Sequence, residues 1–440
     1  MRFIHWLLRL EPLWILLAGV PLLLPGRFFP VSTHSFLVVG FGCLGVLHWL
    51  RYCWFTPKIA QPFLTFFPTN PLSFSLLIIL LWLPVNLAVS VAGDTSWVAT
   101  GYLLLGITLY IALTNPLTNR YSPDLLVGLL LLLGTGLAIV SPTLVAWKPE
   151  FRLFYLPLYD RLQTIQFHFG ETIHANVLAG ILVIVLPLLF VLTWYHFINH
   201  RMRQFLSYGS IMVVILLLLI LTQSRAGYLA FASGFGVVLI LCFPKIVYAL
   251  PIAIVGVAIA IRIIGLQPLL EAFSSDSSLG GWDVRGEIWR YSYSAMGDFI
   301  YTGIGIGTFT TVMPLLYPIR FNIQELPHAH NLFLQIALDL GLPGLIAYLA
   351  IIINLFVMLI GTLRSRYTSS LHRALAIGAT GSLVGILVHG LLDAVTWGTK
   401  LAFVPWILFA LITQLFLHTQ AMQSAHKAML KAEGESSSEK

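Results

Sequence analysis

Apolar residues run through this chain in blocks about as long as a bilayer is thick, with short polar stretches between them. A helix rises about 1.5 Å per residue and needs about 20 apolar residues to cross the hydrocarbon core. Blocks of that kind lie near 5–24, 34–50, 72–92, 97–113, 123–141, 174–196, 207–223, 226–242, 246–265, 331–360, 374–393 and 401–418. The pattern predicts an all-α, polytopic membrane protein with about 12 transmembrane helices. Only a few residues around Ser224 and Arg225 part the blocks 207–223 and 226–242. One straight helix over both would overshoot the bilayer, so a tight turn is expected there.

Two stretches break the rhythm, from about Pro142 to Ile173 and from about Gln267 to Pro327. Both are rich in Pro, Gly, aromatic and charged residues, and loops this long are uncommon unless functional. The second opens with Ser274-Ser275-Asp276-Ser277-Ser278 and reads as helix from Arg285 to Phe299. It is expected to form a partly helical cap on the outer membrane surface. The predicted organisation is nine membrane helices over 1–266 with an outer loop near 142–173, then a large loop and cap over 267–330. Helices 10–12 follow over 331–420, and 421–440, polar and rich in Ser and Glu, is expected to be a flexible cytoplasmic tail.

Composition sharpens this picture. The 440 residues are 58% hydrophobic and 9% charged, against about 25% charged in a soluble domain. Too few charges are present to cover a water-facing surface, which excludes a soluble enzyme and a disordered chain. Cys43, Cys53 and Cys242 fall in or beside apolar blocks and make no disulfide framework or CxxC metal site. The net charge of +7 comes without a clustered basic arm, so no nucleic-acid partner is expected. Arg2 and Arg9 precede the first block in the manner of a signal peptide, but no small-residue cleavage site follows, and the block is read as a retained anchor.

With the N-terminus in the cytoplasm and the blocks alternating, 14 of the 24 Lys and Arg fall on the cytoplasmic side, as the positive-inside rule requires. Both termini are then cytoplasmic. Ten fall outside against that rule: Arg27, Lys148, Arg152, Arg161, Arg225, Arg262, Arg285, Arg290, Arg320 and Lys400. These need another reason to be there.

Arg225 stands in Thr222-Gln223-Ser224-Arg225-Ala226-Gly227-Tyr228, at the expected tight turn. An arginine at the membrane usually faces a cavity or a partner; the alternative is snorkelling to lipid phosphates. Arg285 and Arg290 lie in Arg285-Gly286-Glu287-Ile288-Trp289-Arg290, where the alternative is a solvated helix salt-bridged through Asp283, Glu287 or Asp298. The stretch Gly303 to Phe309 is Gly-rich but lacks the preceding strand and following Lys of a nucleotide loop; a close-packed turn beneath the cap is the better reading. His328-Ala329-His330-Asn331 precedes a long apolar helix that carries Gly341-Leu342-Pro343-Gly344. His330 at its mouth admits three readings: a general base, a metal ligand, for which i, i+2 spacing with few local carboxylates is poor geometry, or a His–Asn helix cap. His389 and Asp393 share a helix face, as a functional site or as a structural pair joining two helices. His174 and Asn176, with Glu171, open another helix on the same side.

Taken in order, TQSRAGYLA, RGEIW, TGIGIGTF, HAHNLFLQIALDLGLPGLIAYL and HGLLDA resemble the motifs of the bacterial O-antigen ligase and polymerase superfamily. The resemblance is specific over about 220–400 and only hydropathic before that. It implies an inner-membrane glycosyltransferase of GT-C-type architecture with a periplasmic cap, its active site facing the periplasm. It also implies a glycan donor carried on undecaprenyl diphosphate and an acceptor that is lipid A–core or another glycan. No cofactor and no metal are implied. By the same resemblance Arg225, Arg285 and His330 are catalytic; His328, Asn331, Arg290, His389, Asp393 and His174, from their position and chemistry, are candidates for binding substrate. The extra His328 leaves the choice of base open. Some relatives have been described as bicarbonate-transport-related, and HGLLDA resembles their C-terminal region too. A transporter should place its charges near the midplane on broken helices, whereas the notable charges here gather at the outer interface.

Overall fold

The structure is a computed structural model that describes residues 10–23, 36–42, 70–114, 122–147, 156–165, 172–265, 282–320 and 328–438. Arg27, Lys148, Arg152, Glu171, Cys43, Cys53, the start of the cap at 266–281 and most of the block 34–50 lie outside the described residues.

Helices, most of them apolar, account for the bulk of the described residues. They are α1 (Glu11–Leu23), α2 (Ser73–Val89), α3 (Gly93–Thr114), α4 (Pro123–Leu144), then a short α5 (Leu158–Thr164), followed by α6 (Ala175–Ile198), α7 (Met202–Thr222), α8 (Arg225–Cys242) and α9 (Leu250–Ile264). α10 (Trp282–Asp298) and α11 (Phe309–Leu316) fall in the segment expected to form the cap, and α12 (Leu332–Arg364), α13 (Ser370–Leu392) and α14 (Val404–Ser438) follow. Eight of these are long and apolar enough to cross a membrane. The two-residue strands β1 (Val145–Ala146) and β2 (Ile173–His174) pair in parallel and bring the end of α4 beside the start of α6. This is an all-α, polytopic membrane protein.

α3 and α6 are apolar on every face and mostly buried, so they fill the middle of the bundle, while α7 and α8 leave most of their surface to lipid. The turn between α7 and α8 is as tight as expected. Gln223 adopts the left-handed conformation (φ 50°) and the Ser224 hydroxyl accepts from Gly227 N to cap α8. α5 braces this turn: Tyr159 donates to the Leu221 carbonyl and accepts from Gln223 Nε2.

Small residues set the closest helix crossing. A Cβ on Gly234 of α8 would run into the Gly381 carbonyl of α13, and one on Gly381 would press the Gly234 carbonyl, as close packing in lipid favours. Counting outward from that crossing at about 1.5 Å per residue, Arg225 on α8 and Gly390 on α13 lie at the same depth.

The structure departs from the sequence reading in one place. The helix after His330 is not continuous: Gly341 (φ 68°, ψ −173°) breaks α12. Three carbonyls next to the break are taken by other elements. Leu338 O accepts from Ile304 N, Asp339 O from Asn86 Nδ2 and Leu340 O from Trp82 Nε1, while Leu342 N donates to Ile300 O. A broken helix survives at membrane depth only with such replacements. The Gly303–Phe309 stretch, a close-packed turn as its sequence suggested, supplies one of them through Ile304 N, and α2 supplies two through Asn86 and Trp82. Helical backbone in α14 runs on to Ser438.

Candidate active site

Four helix ends meet on one side of the bundle. Asn331 caps α12, its side chain accepting from Leu334 N, and its Nδ2 reaches the Leu391 carbonyl at the end of α13 (3.1 Å). His174 caps α6 by accepting from Asn176 N, and Asn176 Nδ2 donates to Asp393 Oδ2, just past α13 (2.8 Å). Gly227 of α8 packs on Ala179 in the first turns of α6, which brings the Arg225 end alongside.

Asp393 is the centre of the group. It is 2% exposed, and its Oδ1 accepts from Ala394 N (2.9 Å) and faces His328 Nε2 at 3.2 Å and His330 Nδ1 at 3.7 Å. Burial alone would raise its carboxyl, but His328, His330, His389 and Arg285 together hold it below the usual carboxylate range. Asp393 is therefore ionised at neutral pH.

The two histidines differ. His328 Nδ1 accepts the backbone N–H of His330 (3.2 Å). That fixes the proton on Nε2, which points at Asp393, so both ring nitrogens are engaged. His330 stands edge-on to His328 with ring centroids 4.6 Å apart. Its side chain is 12% exposed, its backbone is left-handed (φ 49°), and neither ring nitrogen has a hydrogen-bond partner. Burial, then the fields of His328 and Arg285, lowers its pKa to about 3 against the opposing pull of Asp393. Burial likewise lowers His328. Both imidazoles are neutral at pH 7. A bulky residue held at positive φ with a buried, unpartnered ring is the kind of strain that gathers at functional sites.

Of the sequence candidates, His328, His330, Asn331 and Asp393 lie together. Arg285 on α10 is half-buried and acts electrostatically on the His–Asp group. His389 is buried in α13 a turn before Asp393, its Nε2 without a hydrogen-bond partner. His174 is exposed on the rim, close enough for its charge to disfavour protonation of His330. Arg225 is half-buried at the first position of α8. Arg290 is different: it lies about 140° around α10 from Arg285, is exposed, and stacks on Tyr291 at 4.7 Å.

Residues that the sequence reading passed over complete the frame. Gln335, Asp339 and Trp397 form a buried hydrogen-bonded group below the histidines. The polar pair Gln335 and Asp339, one turn apart in an apolar helix, was a usable signal; Trp397 carried none.

The ligand atoms of His328, His330 and Asp393 lie within 4.8 Å of one another, near enough to hold a metal ion. Asp393 thus supplies the carboxylate that the local sequence lacked. The tautomer of His328 opposes this use. A metal on Nε2 would move the proton to Nδ1, where it would face the His330 N–H.

Residues 210–349 match the O-antigen ligase family. The matched segment runs from α7 into α12 and takes in Arg225, Arg285, the Gly-rich turn and both histidines; Asn176, His389 and Asp393 lie outside it. No curated protein matches the chain. The match covers about a third of the chain and is consistent with the O-antigen ligase and polymerase superfamily.

Proposed function

We propose that this protein is a glycosyltransferase of the bacterial inner membrane. It transfers an oligo- or polysaccharide from undecaprenyl diphosphate to an acceptor hydroxyl at the periplasmic face, without a metal. The observation that carries this reading is His330, a neutral, buried imidazole with two unpartnered nitrogens beside an ionised carboxylate and near a cation.

In the reaction His330 takes the proton of the acceptor hydroxyl. The acceptor oxygen bonds to the sugar C1, and the bond from C1 to the phosphate oxygen breaks with its electron pair leaving on the diphosphate. Arg225 and Arg285 offer forked, permanently charged donors to that diphosphate. Fixed cations at a developing charge are usually the largest catalytic contribution. Arg285 also links binding to base strength. In the free protein its charge disfavours protonation of His330. A diphosphate on Arg285 cancels that field, so the imidazole gains proton affinity when the donor is in place. Asp393 then stabilises the imidazolium. His328, with both nitrogens engaged, serves as a spacer in this scheme, and His389, His174 and Asn331 line the acceptor side.

Ligase and polymerase share this donor chemistry and differ in acceptor. A transport function would draw support from the break in α12 beside the buried Asp339. However, the Asp339 carboxylate oxygens are taken by Gln335, Trp397 and Gly307, an arrangement that favours a structural role over a substrate or ion site. The test is reconstitution. Purified protein is supplied with undecaprenyl-diphosphate glycan and either lipid A–core or a second lipid-linked glycan, and product is followed by gel shift. Transfer to lipid A–core assigns a ligase and chain extension a polymerase; no transfer to any glycan acceptor, with bicarbonate uptake in vesicles, would replace the reading.

A further inference from the structure

Ala329, between the two histidines, has both of its polar backbone atoms tied to side chains. Its N–H donates to Gln335 Oε1 (2.8 Å), and its carbonyl accepts from Trp289 Nε1 (2.9 Å). Gln335 can turn its oxygen to Ala329 only if its amide nitrogen has an acceptor on the other side. Asp339 Oδ1 is that acceptor (2.9 Å), and it also takes the Gly307 N–H (3.3 Å). Trp397 Nε1 occupies Asp339 Oδ2 (2.8 Å). The Ala329 N–H requires an acceptor and Asp339 Oδ1 already receives two N–H groups, so the Gln335 amide has one orientation. The next residue is His330, in a left-handed conformation that few non-glycine residues adopt. Trp289 shares α10 with Arg285, one turn away, so the same strut ties the cation to the imidazole.

We propose that Gln335, oriented by Asp339, and Trp289 are positioning residues that hold His330 at its strained backbone angle and in register with Arg285. They touch no substrate. Their effect passes through the Ala329 peptide, and the inference rests on the reading of His330 as the base.

The test uses the full-length protein with Gln335→Met, which keeps the bulk and removes both hydrogen bonds, and Trp289→Phe, which removes the indole N–H. Ser382→Ala, which loses a buried hydrogen bond between α13 and α6 away from the site, is the control. The first readout is the rate at which diethyl pyrocarbonate modifies His330, followed by mass spectrometry on the protein alone. The second is glycan transfer. We expect His330 to react at least about threefold faster in both variants, and kcat to fall about 10- to 100-fold with the donor KM within about twofold, as for a misplaced catalytic group. The control should match the parent in both. Unchanged His330 reactivity in both variants overturns the proposal, as does an equal loss in Ser382→Ala. Raised reactivity with unchanged kcat supports the positioning role and overturns His330 as the base. If Gln335→Met does not fold, Trp289→Phe decides.

Discussion

Asn176 and Asp393 meet at 2.8 Å although 217 positions separate them in sequence. The contact joins the start of α6 to the end of α13 and, with the Ala394 N–H, leaves the carboxylate one face toward the histidines. A buried charge is costly unless paired and hydrogen-bonded, so these donors keep Asp393 ionised where an imidazolium would form.

Asp393→Asn keeps the shape and removes the charge. Donor binding should persist while kcat falls about 100-fold, the range expected for weakened proton transfer. Steady-state transfer kinetics with a direct donor-binding measurement check this, and an Asn variant with parental kcat would remove Asp393 from the mechanism.

His330→Ala should lose turnover by about 10²- to 10⁴-fold and still bind donor, whereas His328→Ala should lose less. The reverse order would make His328 the base. The free protein's His330 sits at about 3, so its basic form survives acidification, and kcat/KM should stay flat from pH 8 to about pH 5. An ordinary imidazole would give a decline near pH 6.5. The sign for stability follows from the same shift. The unfolded histidine takes its proton first as pH falls, so the stability that His330 contributes is present above about 6.5 and is lost between there and about 3. His330→Ala should flatten the unfolding midpoint across that window.

Arg225→Lys and Arg285→Lys keep the charge and lose the fork. Each should lower kcat about 10²-fold or more. Arg290→Lys should stay within about twofold, because Arg290 is exposed and stacked on Tyr291. Parental activity in both of the first two variants would end the diphosphate-clamp reading.

Chelation should leave transfer unchanged, because the neutral His328 tautomer directs a proton at Asp393. Loss of activity in EDTA that added metal restores would instead assign the His328–His330–Asp393 group to a metal.

Gly341→Ala should destabilise the fold without touching the chemistry. The position is at φ 68°, and a Cβ there would strike the Tyr301 carbonyl. A strained backbone costs about 1–3 kcal/mol and the clash adds to it, which a lower thermal midpoint in detergent would register.

Much of this was legible in the chain. Block length gave the helices, and Ser224 with Arg225 between two blocks gave the α7–α8 turn, because hydrophobic length against bilayer thickness is a local property. Arg225 and Arg285 stood out as basic residues on the side where few were expected, and His330 as an imidazole at a helix mouth; their catalytic roles came from the motif resemblance. The roles of His328 and Arg290 were not legible. One depends on which atom meets His328 Nδ1, and the other on the face that α10 turns outward. Gly341-Leu342-Pro343-Gly344 marked a weak point in the helix after His330, but not a break, because what makes the break tolerable is bonding from Trp82, Asn86 and Ile304, far away in the chain.

The sequence alone determined that the protein spans a membrane and roughly where its described helices begin and end, since burial in lipid selects residues one segment at a time. Tertiary structure decided that Asp393 is paired with Asn176, that His328 is locked while His330 is open, and that Gln335 reaches back to Ala329. Those outcomes are set by hydrogen-bond geometry between segments far apart in the chain, and no local pattern encodes a distance.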